Sequence, residues 1–177
     1  DAACGAGRYS ILLAKLNFEV TAFDLSKSLL HVAAENVLKE KLSIKFINSD
    51  IRSEFLKTKF DLIINLFTSF GYFESDEENF KFLYNSYKML NDGGYFVLDY
   101  FNENFIIKNL VSESQKEFSG KLISENRFVE NGRVNKKITI VEDSKTETYF
   151  ESVKLYSKDY LIQKVENIGY KIKYKII

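Results

Sequence analysis

Residues 60–67 read Phe-Asp-Leu-Ile-Ile-Asn-Leu-Phe, an apolar run in which polar and apolar positions do not alternate. A strand with one wet face alternates with a period of two, so a run of this kind needs cover on both faces. Hairpins supply no such cover. Parallel strands joined by helical crossovers do. This one segment therefore directs the chain towards a layered α/β architecture.

The rest of the first hundred residues agrees with it. Tyr9–Leu16 has helical spacing, with Ile11, Leu12, Ala14 and Leu16 expected inward and Asn17 suited to a left-handed end. Phe18–Asp24 reads as a short buried strand. Ser26 is an N-cap for a helix from Lys27 to about Leu38, and Ile44–Ile47 is a further strand, ending at Asp50. Ser75-Asp-Glu-Glu78 is a capping box opening a helix to about Leu90. Asn91-Asp-Gly-Gly94 is a turn before a strand over Tyr95–Tyr100. Strands and helices in this order predict an α/β, doubly wound, mostly parallel sheet.

After residue 100 the rhythm breaks. Phe118–Val129, Arg133–Glu142 and Lys145–Tyr156 are strand-like, and Asn131-Gly132 is a hairpin signal, since a type I′ turn needs positive φ twice. An inserted antiparallel β-meander is expected. Ser157 then caps a helix ending near Gly169, and Tyr170–Ile177 reads as a last strand.

Composition removes several classes of function. Lys plus Arg number 25 and Asp plus Glu 25. Without a basic excess, no nucleic-acid partner is expected. Cys4 and His31 are the single residues of their kinds, which excludes a zinc site built from Cys and His and any intrachain disulfide. No apolar run approaches the roughly 18 residues that a membrane span needs. Nothing has the layout of a secretory signal, so no membrane and a cytoplasmic location are expected.

The chemistry concentrates at the start, Asp1-Ala-Ala-Cys-Gly-Ala-Gly-Arg8. Gly5 and Gly7 allow a tight turn and close approach of a ligand. The helix that follows aims unpaired N–H groups at the same place. Asp24 ends the next strand, 17 residues after Gly7, where a carboxylate can accept both hydroxyls of a ribose. Asp50-Ile51 follows the next strand. A nicotinamide fingerprint would need a third small residue where Ser10 stands, and no Gly-Lys-Ser/Thr follows to make a Walker A loop.

With these residues the chain resembles class I S-adenosylmethionine-dependent methyltransferases. Leu90-Asn-Asp-Gly-Gly-Tyr-Phe-Val-Leu98 is similar to that family's turn into its fifth strand, although the family usually has Lys-Pro where Asn91-Asp92 stands. Asn65-Leu-Phe-Thr-Ser-Phe-Gly-Tyr-Phe-Glu74 resembles a bacterial small-molecule subgroup in which an antiparallel sheet is inserted after the fifth strand.

The resemblance implies a Rossmann-like domain over residues 1–100 and 157–177, with residues 101–156 as an inserted cap. S-adenosylmethionine would be the cofactor, bound by Asp1, Ala3, Gly5, Gly7, Asp24, Leu25, Asp50, Ile51 and Leu66. Asp1 would take the ammonium of its methionine part, Asp24 the ribose, and Asp50-Ile51 the adenine. Phe67, Phe70, Tyr72, Tyr100 and Asn102 would line the pocket of a small-molecule methyl acceptor. The insert could be a lid, a homodimer surface or both.

The resemblance also implies a first strand largely absent before Asp1, leaving a gap in the sheet, and a seventh strand absent after residue 177. Two other readings stay open. One is a binding or accessory protein of the same fold without catalysis. The other is an NAD(P)-dependent oxidoreductase.

Overall fold

The computed structural model describes residues 1–53, 58–143 and 145–173. Their order is α1 (Arg8–Lys15), β1 (Thr21–Asp24), α2 (Lys27–Lys39), β2 (Lys45–Asn48), β3 (Phe60–Asn65), α3 (Asp76–Met89), β4 (Leu90–Leu98) and α4 (Glu103–Asn109). Then follow β5 (Glu113–Phe118), β6 (Lys121–Glu130), β7 (Arg133–Glu142), β8 (Lys145–Lys154) and α5 (Lys158–Ile168). No described helix is long and apolar enough to cross a membrane.

β1 pairs with β2 and β3 with β4, both in parallel. The opening residues stand between the pairs. Ala2 bridges Phe23 in parallel, its N–H donates to the Ile64 carbonyl at 2.9 Å, and the Phe23 N–H donates to the Asp1 carbonyl at 3.0 Å. The expected gap is thus bridged at this end of the sheet, where the strands' carboxyl ends and their loops meet. The core lies beneath, built on Ile63, Phe70, Phe82, Leu83, Met89 and Tyr156. Within the run that does not alternate, Ile63, Ile64 and Asn65 are buried.

β5-β6-β7-β8 form a separate antiparallel meander. Asn131 and Gly132 take φ of 51° and 67°, the turn expected between β6 and β7. Side-chain caps also form at the serines read for them: Ser26 accepts from the Leu29 N–H, Ser75 from Glu78 and Ser157 from Tyr160. The Ser75 box is only half made. The Glu78 carboxylate takes the Ser75 hydroxyl at 3.2 Å, and its other oxygen takes Arg52 at 2.5 Å.

Other expectations need correction. In α1, Leu12 and Leu16 are 49% and 60% exposed and Ser10 is buried. The Ser10 hydroxyl donates to the Asp1 carboxylate at 2.5 Å and so turns its own face of the helix to the sheet. At about 100° per residue, Leu12 then lies about 200° away. Phe18–Val20 are not strand, because the Phe18 N–H still closes α1 on the Leu13 carbonyl at 3.1 Å. Asn17 takes the expected left-handed turn at φ 64°.

The segment Phe118–Val129 is not one strand. Ser119-Gly120, at φ 52° and 75°, folds it into β5 and β6. The expected turn at 91–94 lies inside β4 as an irregularity, where pairing jumps from Phe60↔Leu90 to Leu62↔Tyr95. Tyr170–Lys173 carry no strand, and the rest of that expected strand lies outside the described residues.

Candidate functional site

The glycine loop departs from ordinary backbone at three residues: Ala3, Gly5 and Gly7 have φ of 56°, 54° and 79°. A Cβ on Gly7 would stand 3.0 Å from the Ala33 Cβ of α2, so the loop's path depends on that glycine. Gly7 is the N-cap of α1 and gives no side-chain bond, and no acidic residue occupies the first turn. The N-cap and the first turn therefore give the N–H groups that open this helix no side-chain acceptor. Cys4 lies within the loop. Burial, and then the nearby Asp24 carboxylate, pushes its thiol up to about 11.

Asp24 closes the loop from the next strand. Its Oδ2 accepts the Gly5 N–H at 2.8 Å and its Oδ1 accepts the Ser26 N–H at 2.8 Å. A carboxylate offers about four acceptor positions, so each oxygen keeps one. Asn48 ties the neighbouring loop in, donating from Nδ2 to the Asp24 carbonyl at 3.0 Å and to the Leu25 carbonyl at 2.8 Å. Leu25 itself is 69% exposed beside them.

Asp50 is fully engaged on one side. Its Oδ1 accepts the Arg52 N–H at 2.8 Å and Nε at 3.0 Å, and its Oδ2 accepts Nη2 at 2.6 Å and the shared Nε at 3.2 Å. Hydrogen bonding from Arg52 holds the carboxyl below the usual carboxylate range. Ile51 turns partly into the core cluster.

Across the mouth, Leu66 is half-buried and Phe67 is 56% exposed. Phe67 and Thr68 both have positive φ, 57° and 53°, an uncommon pair for residues with a Cβ. The Phe67 N–H donates to Asp99 Oδ2 at 3.0 Å. The Arg8 guanidinium lies 4.0 Å from the Phe67 ring centroid, and the Tyr9 ring lies 5.3 Å from it, so α1 and this loop meet.

The expected acceptor pocket fares unevenly. Tyr72 is exposed near the same loop. Phe70 is 2% exposed and packs on Phe80, Tyr100 and Tyr156, which makes it core and not lining. Tyr100 spends its hydroxyl on the insert: it donates to the Lys154 carbonyl and accepts the Tyr156 N–H at 3.2 Å. Asn102 caps α4, accepting the Phe105 N–H at 3.1 Å.

Three residues that hold this end together were not singled out from the sequence. Asn65 donates to the Ala2 carbonyl at 2.9 Å. Arg52 links Asp50 to Glu78 and lies 4.2 Å from the Phe73 ring centroid. Arg133 reaches from β7 to the carbonyls of Gly71, Tyr72 and Phe73 at 3.3, 3.4 and 3.1 Å. Only Arg52 left a trace, the Asp-x-Arg spacing after β2.

Glycine loop, Asp24, Asp50 and the loop after β3 all lie at the carboxyl ends of parallel strands, where open α/β sheets bind ligands. The match to known sequences agrees. Residues 1–94 fit the family model described as a methyltransferase domain. The chain belongs to the methyltransferase-domain family.

This methyltransferase domain is 27% identical over 174 residues to a glycine/sarcosine N-methyltransferase of Aphanothece halophytica, covering 96% of the chain and 64% of that protein. It thus spans less than two thirds of that relative's length. Among solved structures it is similar to an S-adenosylmethionine-dependent methyltransferase from Clostridium acetobutylicum, with a TM-score of 0.84, 20% identity, and coverage of 95% and 70% of the two chains. It is also similar to an amino pentose methyltransferase from Micromonospora echinaspora solved with its cofactor bound, with a TM-score of 0.76, 16% identity, and coverage of 96% and 73%. These likenesses show the methyltransferase fold: parallel strands and helices with an antiparallel sheet.

Proposed function

We propose that the protein transfers a methyl group from S-adenosylmethionine to a small amine. The observation that carries the cofactor is the Asp24 carboxylate. Two backbone N–H groups fix it beside the glycine loop, and one acceptor position remains on each oxygen. Two adjacent ribose hydroxyls match that arrangement. Asp1 would meet the ammonium of the methionine part, steadied by Ser10. The N–H groups at the start of α1, with Gly5 and Gly7, would let the ligand lie against the backbone. Ala3, Leu25, Ile51 and Leu66 would supply the apolar walls, and Asp50 would accept from the adenine amino group.

The cofactor supplies a carbon already activated for displacement by its sulfonium. What remains for the chain is to hold two reactants in line and keep water away. A neutral amine brings its own lone pair and needs no general base, which agrees with a site that offers no histidine. Two of the similar proteins named above are named for glycine, sarcosine and an amino pentose, all small amines. Phe67 and Tyr72 are the exposed aromatic rings nearest the loop after β3, and they are the proposed acceptor contacts. In this reading, residues 1–100 and 157–177 hold the cofactor and 101–156 roof the acceptor.

The test is calorimetric titration of the purified protein with S-adenosylhomocysteine and, separately, NAD. Binding of the first alone is expected. Asp24→Asn should weaken it about 10- to 100-fold, the worth of one or two hydrogen bonds to a charged group. Binding of NAD alone would overturn the reading. So would an Asp24→Asn variant that binds as the parent does.

A further inference from the structure

We infer that Arg52 is a positioning residue for cofactor recognition, acting through Asp50 and setting the preference for adenine. The inference rests on the proposed cofactor reading and adds a residue to it. Asp50 alone, at the mouth of a loop, has two oxygens free to turn. Arg52 removes that freedom. Its backbone N–H and Nε both fall on Oδ1, at 2.8 and 3.0 Å, and Nη2 falls on Oδ2 at 2.6 Å. Nε is shared, lying also 3.2 Å from Oδ2, so Oδ2 has one unshared donor, Nη2, and is the oxygen better placed to accept a further N–H. A single N–H donor is what one face of an exocyclic amino group presents. The keto oxygen of hypoxanthine would meet the carboxylate oxygen with no hydrogen between them.

The guanidinium is itself held on further sides. Nη1 donates to Glu78 Oε1 at 2.5 Å at the start of α3. Its Cζ lies 4.2 Å from the Phe73 ring centroid. The Asn85 Nδ2 donates to the Arg52 carbonyl at 2.9 Å from within α3. An arginine fixed this way acts as a rigid fork, a role that lysine's single ammonium cannot reproduce. The same contacts join the adenine side of the site to Phe73, in the loop after β3 that leads to the acceptor side.

The experiment measures dissociation constants of S-adenosylhomocysteine and its hypoxanthine counterpart, S-inosylhomocysteine, for the parent, Arg52→Gln, Arg52→Lys and Asp50→Asn. The readout is the ratio of the two constants, which a merely structural role would leave alone. The parent should prefer adenine by about tenfold or more, the worth of one good hydrogen bond. Arg52→Gln should lose most of that preference. Arg52→Lys should lose at least about a threefold part of it. The double variant Arg52→Gln/Asp50→Asn should lose no more than Asp50→Asn alone, since the two act as one unit.

Equal weakening of both ligands in the Arg52 variants, or losses that add in the double variant, would overturn the inference. Should Arg52→Gln fail to fold, the ratio for Arg52→Lys decides. If the parent binds neither ligand, the cofactor reading fails. If the parent binds and Asp24→Asn weakens both ligands alike while Arg52 variants keep the ratio, only the role of Arg52 fails.

Discussion

Gly7 carries two demands at once. Its φ of 79° lies in the left-handed region, and a Cβ there would sit 3.0 Å from Ala33. Gly5 shares the positive φ, but its nearest neighbour would be a leucine methyl at 4.0 Å. The two glycines should therefore respond differently to alanine. Gly7→Ala should cost about 1–3 kcal/mol in stability, from strain plus crowding. Gly5→Ala should cost about 1 kcal/mol, from backbone strain alone. Urea midpoints of the two variants check the order, and equal midpoints would mean that α2 yields to the added methyl. The same logic explains Ser10, a polar residue in a fully buried place: its hydroxyl serves the Asp1 carboxylate, so its burial is compensated.

Between elements, the joint that matters is Arg133 of β7. It donates to three successive carbonyls after β3, and to the Ser152 carbonyl at 3.0 Å and hydroxyl at 2.8 Å within its own sheet. Tyr156 and Tyr160 add a second joint by donating to the two oxygens of Asp76, at 2.7 and 3.0 Å, at the start of α3. The insert is fastened, not hinged, where it meets the loop. Arg133→Met should lower stability by about 2 kcal/mol. It should also raise the acceptor KM while leaving cofactor affinity within about twofold, which steady-state kinetics and calorimetry separate.

None of this joint was legible in the sequence. Arg133 looks like any charged residue after an Asn-Gly turn, since its partners are carbonyls sixty residues away. β5, Glu-Ser-Gln-Lys-Glu-Phe, is exposed throughout and has no alternation to read. By contrast the run at 60–67 and the serines at 26, 75 and 157 announce themselves, because burial on two faces and N-capping are local demands on residue type. The residues proposed for the cofactor stand out for a related reason: tight loops need glycine, and ligand hydroxyls would need carboxylates. The places of Phe70 and Tyr100 were not legible, since core and insert draw them in by contacts remote in sequence.

For the molecule as a whole, acid should act through carboxylates that the fold keeps charged. Asp50 is held below its ordinary 3.8 chiefly by Arg52. A carboxyl depressed on folding adds stability above its unfolded pKa and loses it as pH falls through the folded value. Stability should therefore decline from about pH 4 downwards, and Asp50→Asn should flatten that decline. Urea midpoints between pH 3 and 6 check it, and parallel curves for the two proteins would rule it out.

The chain's one thiol gives a way to watch the site work. Raised from 9.0 to about 11, Cys4 holds about a hundredfold less thiolate than an ordinary cysteine at any pH below both values. A disulfide reagent such as Ellman's should therefore stain the folded protein slowly and at one position, as a single exponential in time. Because that position is the glycine loop itself, the staining rate reports on access to that loop. A bound cofactor should slow the staining by its own saturation factor, which turns the only cysteine into an occupancy gauge without any added label.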